Sequence, residues 1–167
     1  MEGIAHLDAT APARDDDFTA TFGNHYTSLV RRLTVVVGGD FEAGRDLAQD
    51  AYLRAYRARH RFDGGDPRAW LYTIGLRLAF NERERRRRWD RLMGSRSPMP
   101  TWVVPEDRGL HEALGGLRRE HRAALLLNVV DGYTQAEIAG MLGVAPGTVA
   151  SWLSRAKAQL REALTDA

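Results

Sequence analysis

Thr134 and Glu137 stand three residues apart ahead of the apolar positions Ile138, Ala139, Met141 and Leu142. At that spacing a hydroxyl and a carboxylate reciprocally satisfy the orphan amides of a helix start. Gly143 follows Leu142 where a helix closes into a left-handed cap. Pro146 and Gly147 then open a second helix, since proline in a first turn lacks only an N–H that had no partner there. On a helical wheel Val149, Leu153, Ala156, Leu160 and Leu164 form a buried stripe. Gly147, Thr148, Ser151, Ser154 and Arg155 occupy the other side. Small and hydroxyl residues let a backbone approach a duplex, and a guanidinium among them reaches phosphates or base edges. Helix, glycine turn and helix in this order is the helix-turn-helix plan, whose second helix enters the major groove.

Two further constellations precede it. The helix expected over residues 41–60 has Leu47, Ala48, Ala51, Tyr52, Ala55 and Tyr56 on one side. Opposite lie Asp46, Gln49, Asp50, Arg54 and Arg57, with Leu53 near their centre. An apolar centre inside a polar rim is the anatomy of an interface, although one exposed leucine on a solvated face is equally ordinary. The next helix starts at Pro67 and ends in Arg83, Arg85, Arg86, Arg87, Arg88 and Arg91, with Trp70, Tyr72 and Trp89 in the same helix. Clustered arginines complement a helix C-terminal dipole, and they also bind phosphates beside rings that stack on bases. The DNA-reading module downstream favours nucleic acid. Trp70 shares a side with Leu71, Ile74 and Leu78 and is expected in the core.

The elements that position these groups are all helical. Residues 1–17 read as a disordered tail, and a first helix is expected over residues 18–37, with Phe18, Phe22, Tyr26, Leu29, Leu33 and Val37 on one stripe. Gly38 and Gly39 break it, and Asp40 can cap the next helix. Residues 61–67 form a turn-rich loop, and residues 93–109, with three prolines, a flexible linker. A short helix over residues 110–117 and a longer one over 120–130 lead into the helix-turn-helix. No β-period alternation is sustained, so the fold class is all-α: two small helical domains, residues 18–92 and 110–167.

Composition excludes other classes. The 167 residues include no cysteine, which removes disulfides, thiolate catalysis and Cys-type zinc sites and suits a reducing compartment. No apolar run is long enough to span a bilayer and no apolar signal core begins the chain, so a cytoplasmic protein without direct membrane contact is expected. His6, His25, His60, His111 and His121 are scattered and no glycine-rich phosphate loop is present, so neither enzyme chemistry nor a cofactor or metal site is expected. Formal net charge is +2, too small for the total to argue a partner when its distribution argues more.

At these residues a family resemblance appears. Asp46-Leu47-Ala48-Gln49-Asp50-Ala51-Tyr52-Leu53-Arg54-Ala55-Tyr56 and Asp66-Pro67-Arg68-Ala69-Trp70-Leu71-Tyr72 resemble region 2 of bacterial sigma factors, and residues 110–164 resemble region 4. A chain with only those two regions is similar to the extracytoplasmic-function (group IV) factors of the sigma-70 family. The resemblance implies a non-enzymatic subunit that binds core RNA polymerase through its β′ and β subunits and recognises promoter DNA at the −10 and −35 elements. It also implies an anti-sigma factor as a partner. By resemblance, Asp46, Gln49, Asp50, Leu53 and Arg54 dock on the β′ clamp helices. Phe62, Asp63, Arg77, Asn81, Arg85, Arg86, Arg87 and Arg88 read the −10 element, where the family captures a flipped base. Thr148, Ser151, Ser154 and Arg155 read the −35 element. The chain departs from the family pattern at Arg77 and Asn81, where Asn and then Asp are common. It departs again at Ala150 and Trp152, where Lys and Arg are common, and at Ala145, a usual serine. Trp152 falls at the edge of the buried stripe, a packing position. The alternative is a helix-turn-helix repressor or activator with a helical dimerisation domain, acting on DNA without polymerase.

Overall fold

A computed structural model describes the backbone of residues 15–93 and 108–165, and the side chains of residues 17–81 and 109–165. Eight α-helices and no strand occur among the described residues. The first is α1, Asp15–Phe22, so the acidic run expected in a tail already belongs to a helix; residues 1–14 lie outside the described residues. The single helix expected over residues 18–37 is divided. After α1 a 3₁₀ turn, Gly23–His25, leads into α2, Tyr26–Val36. Gly23 lies at the break, where the low helix propensity of glycine makes a tightened turn cheap. The apolar stripe survives the break: Phe18, Phe22, Leu29 and Leu33 are buried.

Gly38 and Gly39, both at positive φ, turn the chain, and the Asp40 carboxylate accepts from the Ala43 N–H at 2.9 Å to cap α3, Phe41–Arg57. α3 stops short of the expected residue 60, and a 3₁₀ turn, Arg59–Arg61, completes the segment. Asp66 begins α4, Pro67–Met93, accepting from the backbone N–H of Arg68 at 2.8 Å and of Ala69 at 3.2 Å. Helices α1 to α4 form the first bundle. Gly44, Ala48, Ala51 and Ala55 repeat along α3 as a ridge of small buried residues on which α2 lies. Phe22, Phe62 and Trp70 meet at its end with ring centroids 5.2–5.4 Å apart.

The second bundle comprises α5, Arg108–Gly116, α6, Arg119–Leu125, α7, Gln135–Leu142, and α8, Pro146–Thr165. The helix expected over residues 120–130 is not uniform. Beyond α6, residues Leu126–Val130 widen into a π-turn, and the Asp131 N–H reaches back to the Leu126 carbonyl at 3.1 Å. The β-branched Val129 and Val130 are left exposed. Of the linker expected over residues 93–109, residues 94–107 lie outside the described residues.

The two bundles are not separate bodies. α2 packs against α6 and α4 against α7, and one apolar core runs through both.

Candidate functional site

The helix-turn-helix forms as its residues dictate. The Thr134 hydroxyl accepts from the Glu137 N–H at 3.3 Å, and the Glu137 carboxylate accepts from the Thr134 N–H at 2.7 Å, a complete capping box. The Thr134 N–H, and its hydroxyl donating to the same carboxylate at 2.7 Å, hold the Glu137 carboxyl below the ordinary range. Gly143 closes α7 at φ 69°, a conformation that costs glycine nothing. α8 then presents two faces. Val149, Leu153 and Ala156 are buried, Leu160 is half-buried, and Leu164 at the far end is exposed. Ser154 and Arg155 are exposed on the other side, and Thr148 and Ser151 are half-buried at its margin. Trp152 packs inward, its ring 6.4 Å from that of the buried His121, so it is a packing residue. Burial first, and then the positive field of Arg118 and Arg155, keep His121 below its usual pKa.

On α3 the expected division also holds. Ala48, Ala51 and Ala55 are fully buried and Leu47, Tyr52 and Tyr56 partly so. Leu53 is 47% exposed on the opposite side. Asp46, Gln49 and Arg54 are exposed around it, and Asp50 is half-buried. The Arg54 guanidinium donates twice to the Asp50 carboxylate, at 3.0 and 3.1 Å, so one side of the rim is held as a fixed pair. An apolar side chain left in water at the middle of a patterned polar ring is available for burial against a second surface.

The loop over residues 61–67 is ordered by its own side chains. Phe62 is half-buried in the aromatic cluster, which anchors the loop from below. The Asp63 carboxylate accepts from the Gly65 N–H at 3.0 Å around Gly64 at φ 84°. Arg77 and Asn81 are exposed one helical turn apart on α4. The helix backbone continues through Arg85, Arg86, Arg87 and Arg88, whose side chains lie outside the described residues. The structure thus gathers the α3 face, the loop with α4, and the outer side of α8 as three separate surfaces rather than one cleft. Among the described residues no His/Cys/Asp/Glu group could hold a metal ion, and no helix is long and apolar enough to cross a membrane.

Sequence reasoning missed a fourth constellation. Tyr133 donates its hydroxyl to Asp66 at 2.8 Å and accepts from Arg68 at 2.9 Å. Arg32 donates twice to the Asp131 carboxylate, at 2.9 and 3.1 Å. Burial alone would raise the Asp66 pKa, but the Tyr133 hydroxyl, the Ala69 and Arg68 amides and the Arg68 charge together hold it low. Burial and the neighbouring Asp66 push the Tyr133 phenol up. Arg122, 5% exposed, donates to Val35 and Val36 carbonyls at 2.8 and 3.3 Å, and to Gly115 and Leu117 at 3.1 and 2.7 Å. No local pattern could have paired Arg32 with Asp131, Tyr133 with Asp66, or Arg122 with Val35, because these partners lie 99, 67 and 87 residues apart in sequence.

Comparison with known proteins places this chain in a family. The sequence model of sigma-70 region 2 matches residues 22–89, and that of sigma-70 region 4 matches residues 107–160. The chain is 30% identical over 176 residues to the ECF RNA polymerase sigma factor SigL of Mycobacterium tuberculosis, covering 98% of this chain and 97% of that protein. It is 31% identical over 149 residues to the ferric citrate uptake sigma factor FecI of Escherichia coli, covering 83% and 86%. Among solved structures, the sigma factor RpoE of Bartonella quintana, in complex with the anti-sigma factor NepR, superposes with a TM-score of 0.77 at 24% identity over 90% of this chain and 98% of that one. CnrH, in complex with the cytosolic domain of CnrY, superposes with a TM-score of 0.65 at 25% identity over 92% and 90%. Two sigma regions in order along one helical chain do not favour a repressor acting without polymerase. The chain belongs to the extracytoplasmic-function sigma factors of the sigma-70 family, the subunits that bind core RNA polymerase and direct promoter-specific initiation.

Proposed function

We propose that the three surfaces divide the sigma-factor task among them. The α3 face of Asp46, Gln49, Asp50, Leu53 and Arg54 docks on the β′ clamp helices. Phe62, Asp63, Arg77, Asn81 and Arg85 to Arg88 read the −10 element. Thr148, Ser151, Ser154 and Arg155 read the −35 element. The observation that carries this reading is Leu53: midway along a helix whose alanines Ala48, Ala51 and Ala55 pack into the core, it stands out in water on the opposite side, 47% exposed, inside a rim of charges. Support for the DNA-reading assignments is the exposure of Arg77, Asn81, Ser154 and Arg155 on two helices of opposite bundles. The protein acts by binding alone, without catalysis, in the cytoplasm where polymerase works. An anti-sigma factor is a third partner, supported by family membership.

The test is Leu53→Asp. A carboxylate at the centre of a docking face would have to be buried without a partner, which costs several kcal/mol. Leu53 touches solvent in the free protein, so the fold should survive. Pull-down with core polymerase should fall at least ten-fold while circular dichroism stays unchanged. Undiminished binding by a folded Leu53→Asp protein would refute the docking assignment.

A further inference from the structure

Between the polymerase-docking face of α3 and the loop assigned to the −10 element lies a stretch that neither surface uses. Residues 51–62 hold four arginines and a histidine and no carboxylate. Arg57, His60 and Arg61 are exposed, at the end of α3 and in the 3₁₀ turn that follows it. Cations near a helix C-terminus often do no more than complement its dipole, and Arg59 does so here. Its guanidinium donates to the Tyr56 carbonyl at 2.9 Å and lies over the Tyr56 ring, 4.3 Å from the centroid. That ring packs on the buried Phe18, so Arg59 ties the turn to the core. Arg57 and Arg61 have no such structural task. Among the described residues neither pairs with a carboxylate. Asp63, the first acid on the loop side, has its carboxylate on the Gly65 N–H.

The pattern of signs identifies the partner's chemistry. Along the docking face charges alternate and neutralise one another, Arg45 with Glu42 and Asp46, and Arg54 with Asp50. Mixed signs in register suit a protein surface. Past Arg54 the carboxylates stop and only cations remain in water, which suits a polyanion whose charge repeats along a chain. At a rise of about 1.5–2.0 Å per residue, Arg57 and Arg61 stand roughly 6–8 Å apart. That span matches two successive steps of one nucleic-acid strand at about 3.4 Å each. Arg61 adjoins Phe62, so a strand held at Phe62 and Asp63 meets Arg61 next and Arg57 after it.

We propose that Arg57 and Arg61, with His60 between them, form a phosphate track for the unpaired non-template strand of the opened promoter, leading it from the −10 loop toward the docking face of α3. The inference rests on the assignment of Phe62 and Asp63 to the −10 element under "Proposed function". Its contacts are to phosphates alone, so the track adds affinity without reading sequence. Because it takes a strand only after that strand has left the duplex, it favours the opened promoter over the closed one.

The test uses holoenzyme assembled from core polymerase and the full chain, and two DNA probes. One is a promoter duplex carrying a single-stranded non-template tail through and beyond the −10 element. The other is the same duplex ending upstream of −10. Binding is measured over a series of salt concentrations. Arg57→Gln/Arg61→Gln should bind the tailed probe at least ten-fold more weakly at low salt. Its slope of log K against log salt should flatten by about 1.4, as loss of two single-strand phosphates at ~0.7 each requires. Core binding, helicity and affinity for the blunt duplex should stay as in the parent. Arg57→Lys/Arg61→Lys should restore the slope, because a phosphate accepts a point charge as well as a fork. An unchanged slope on the tailed probe, or an equal loss on both probes, overturns the track. Loss of core binding with the slope intact makes the patch a polymerase contact and overturns it too. The track reads no bases, so the double glutamine variant should keep the parent's preference for the −10 sequence over a scrambled one. A parent with no such preference strikes instead at the −10 assignment on which the track rests.

Discussion

Gly44→Ala should destabilise this protein, although the same substitution in a helix ordinarily stabilises by about 0.5–1 kcal/mol. Gly44 sits where α3 meets α2. A β-carbon built there lies 2.3 Å from the Thr34 hydroxyl oxygen and 2.6 Å from both the Thr34 Cα and its backbone nitrogen. The hydroxyl could rotate away, but the backbone atoms cannot, so the helices must separate along the ridge of Ala48, Ala51 and Ala55. Overpacking of this kind costs about 1–3 kcal/mol, and contact with main chain puts it toward the upper end. Less the propensity gain, the net loss is about 2 kcal/mol, or roughly 4–8 °C in Tm for a protein of this size. Gly140→Ala supplies the control: it is also helical, and nothing lies within 4 Å of its β-carbon, so it should raise Tm by roughly 1–4 °C. Thr34→Ala should rescue Gly44→Ala only in part, because it removes one of the three close atoms. Thermal unfolding followed by circular dichroism on the four proteins decides the matter. A Tm for Gly44→Ala at or above the parent would mean that α2 and α3 yield freely, and the argument from close approach would be wrong.

Four other outcomes follow from the structure. Arg155→Ala should weaken holoenzyme binding about ten-fold and relax preference within the −35 element, as loss of a bidentate contact worth about 1–3 kcal/mol would. Changing one of Arg85 to Arg88 should instead weaken all promoters alike and flatten the salt dependence, which binding to promoter variants at two salt concentrations would separate. His121 is held neutral in the fold, so below about pH 6.5 the unfolded chain binds the extra proton and stability declines as pH falls toward the lowered folded value. His121→Phe should reduce the difference in Tm between pH 7.5 and 5.5, and an unchanged difference would place the titrating group elsewhere. Thr134→Ala, which removes the capping hydroxyl at the start of α7, should cost about 1 kcal/mol and lower Tm by about 2–4 °C.

Features that depend on neighbours within one or two turns were legible before any tertiary partner was known. Asp40, Thr134 with Glu137, Gly143 and Pro67 set helix ends through bonds or dihedrals spanning three or four residues, so their types and spacing sufficed. The sides of α3 and α8 were legible for the same reason: a 3.6-residue period fixes which residues share a side before any partner is known. Trp152 could be placed at a packing edge, and the resemblance to sigma regions 2 and 4 reached the family. Tertiary structure alone decided the rest. The first helix breaks at Gly23 and the sixth widens at Leu126, because in each case the cost of leaving a regular helix is small enough for packing to override it. Gly44 carries no local mark of the Thr34 backbone pressed against it. Asp131 carries no local mark of the Arg32 that α2 brings to it across 99 positions, and Tyr133 looks like one residue of a DNA-binding motif until its hydroxyl donates to Asp66. Residues so far apart become partners only when whole helices pack, and a single sequence carries no periodicity that pairs them.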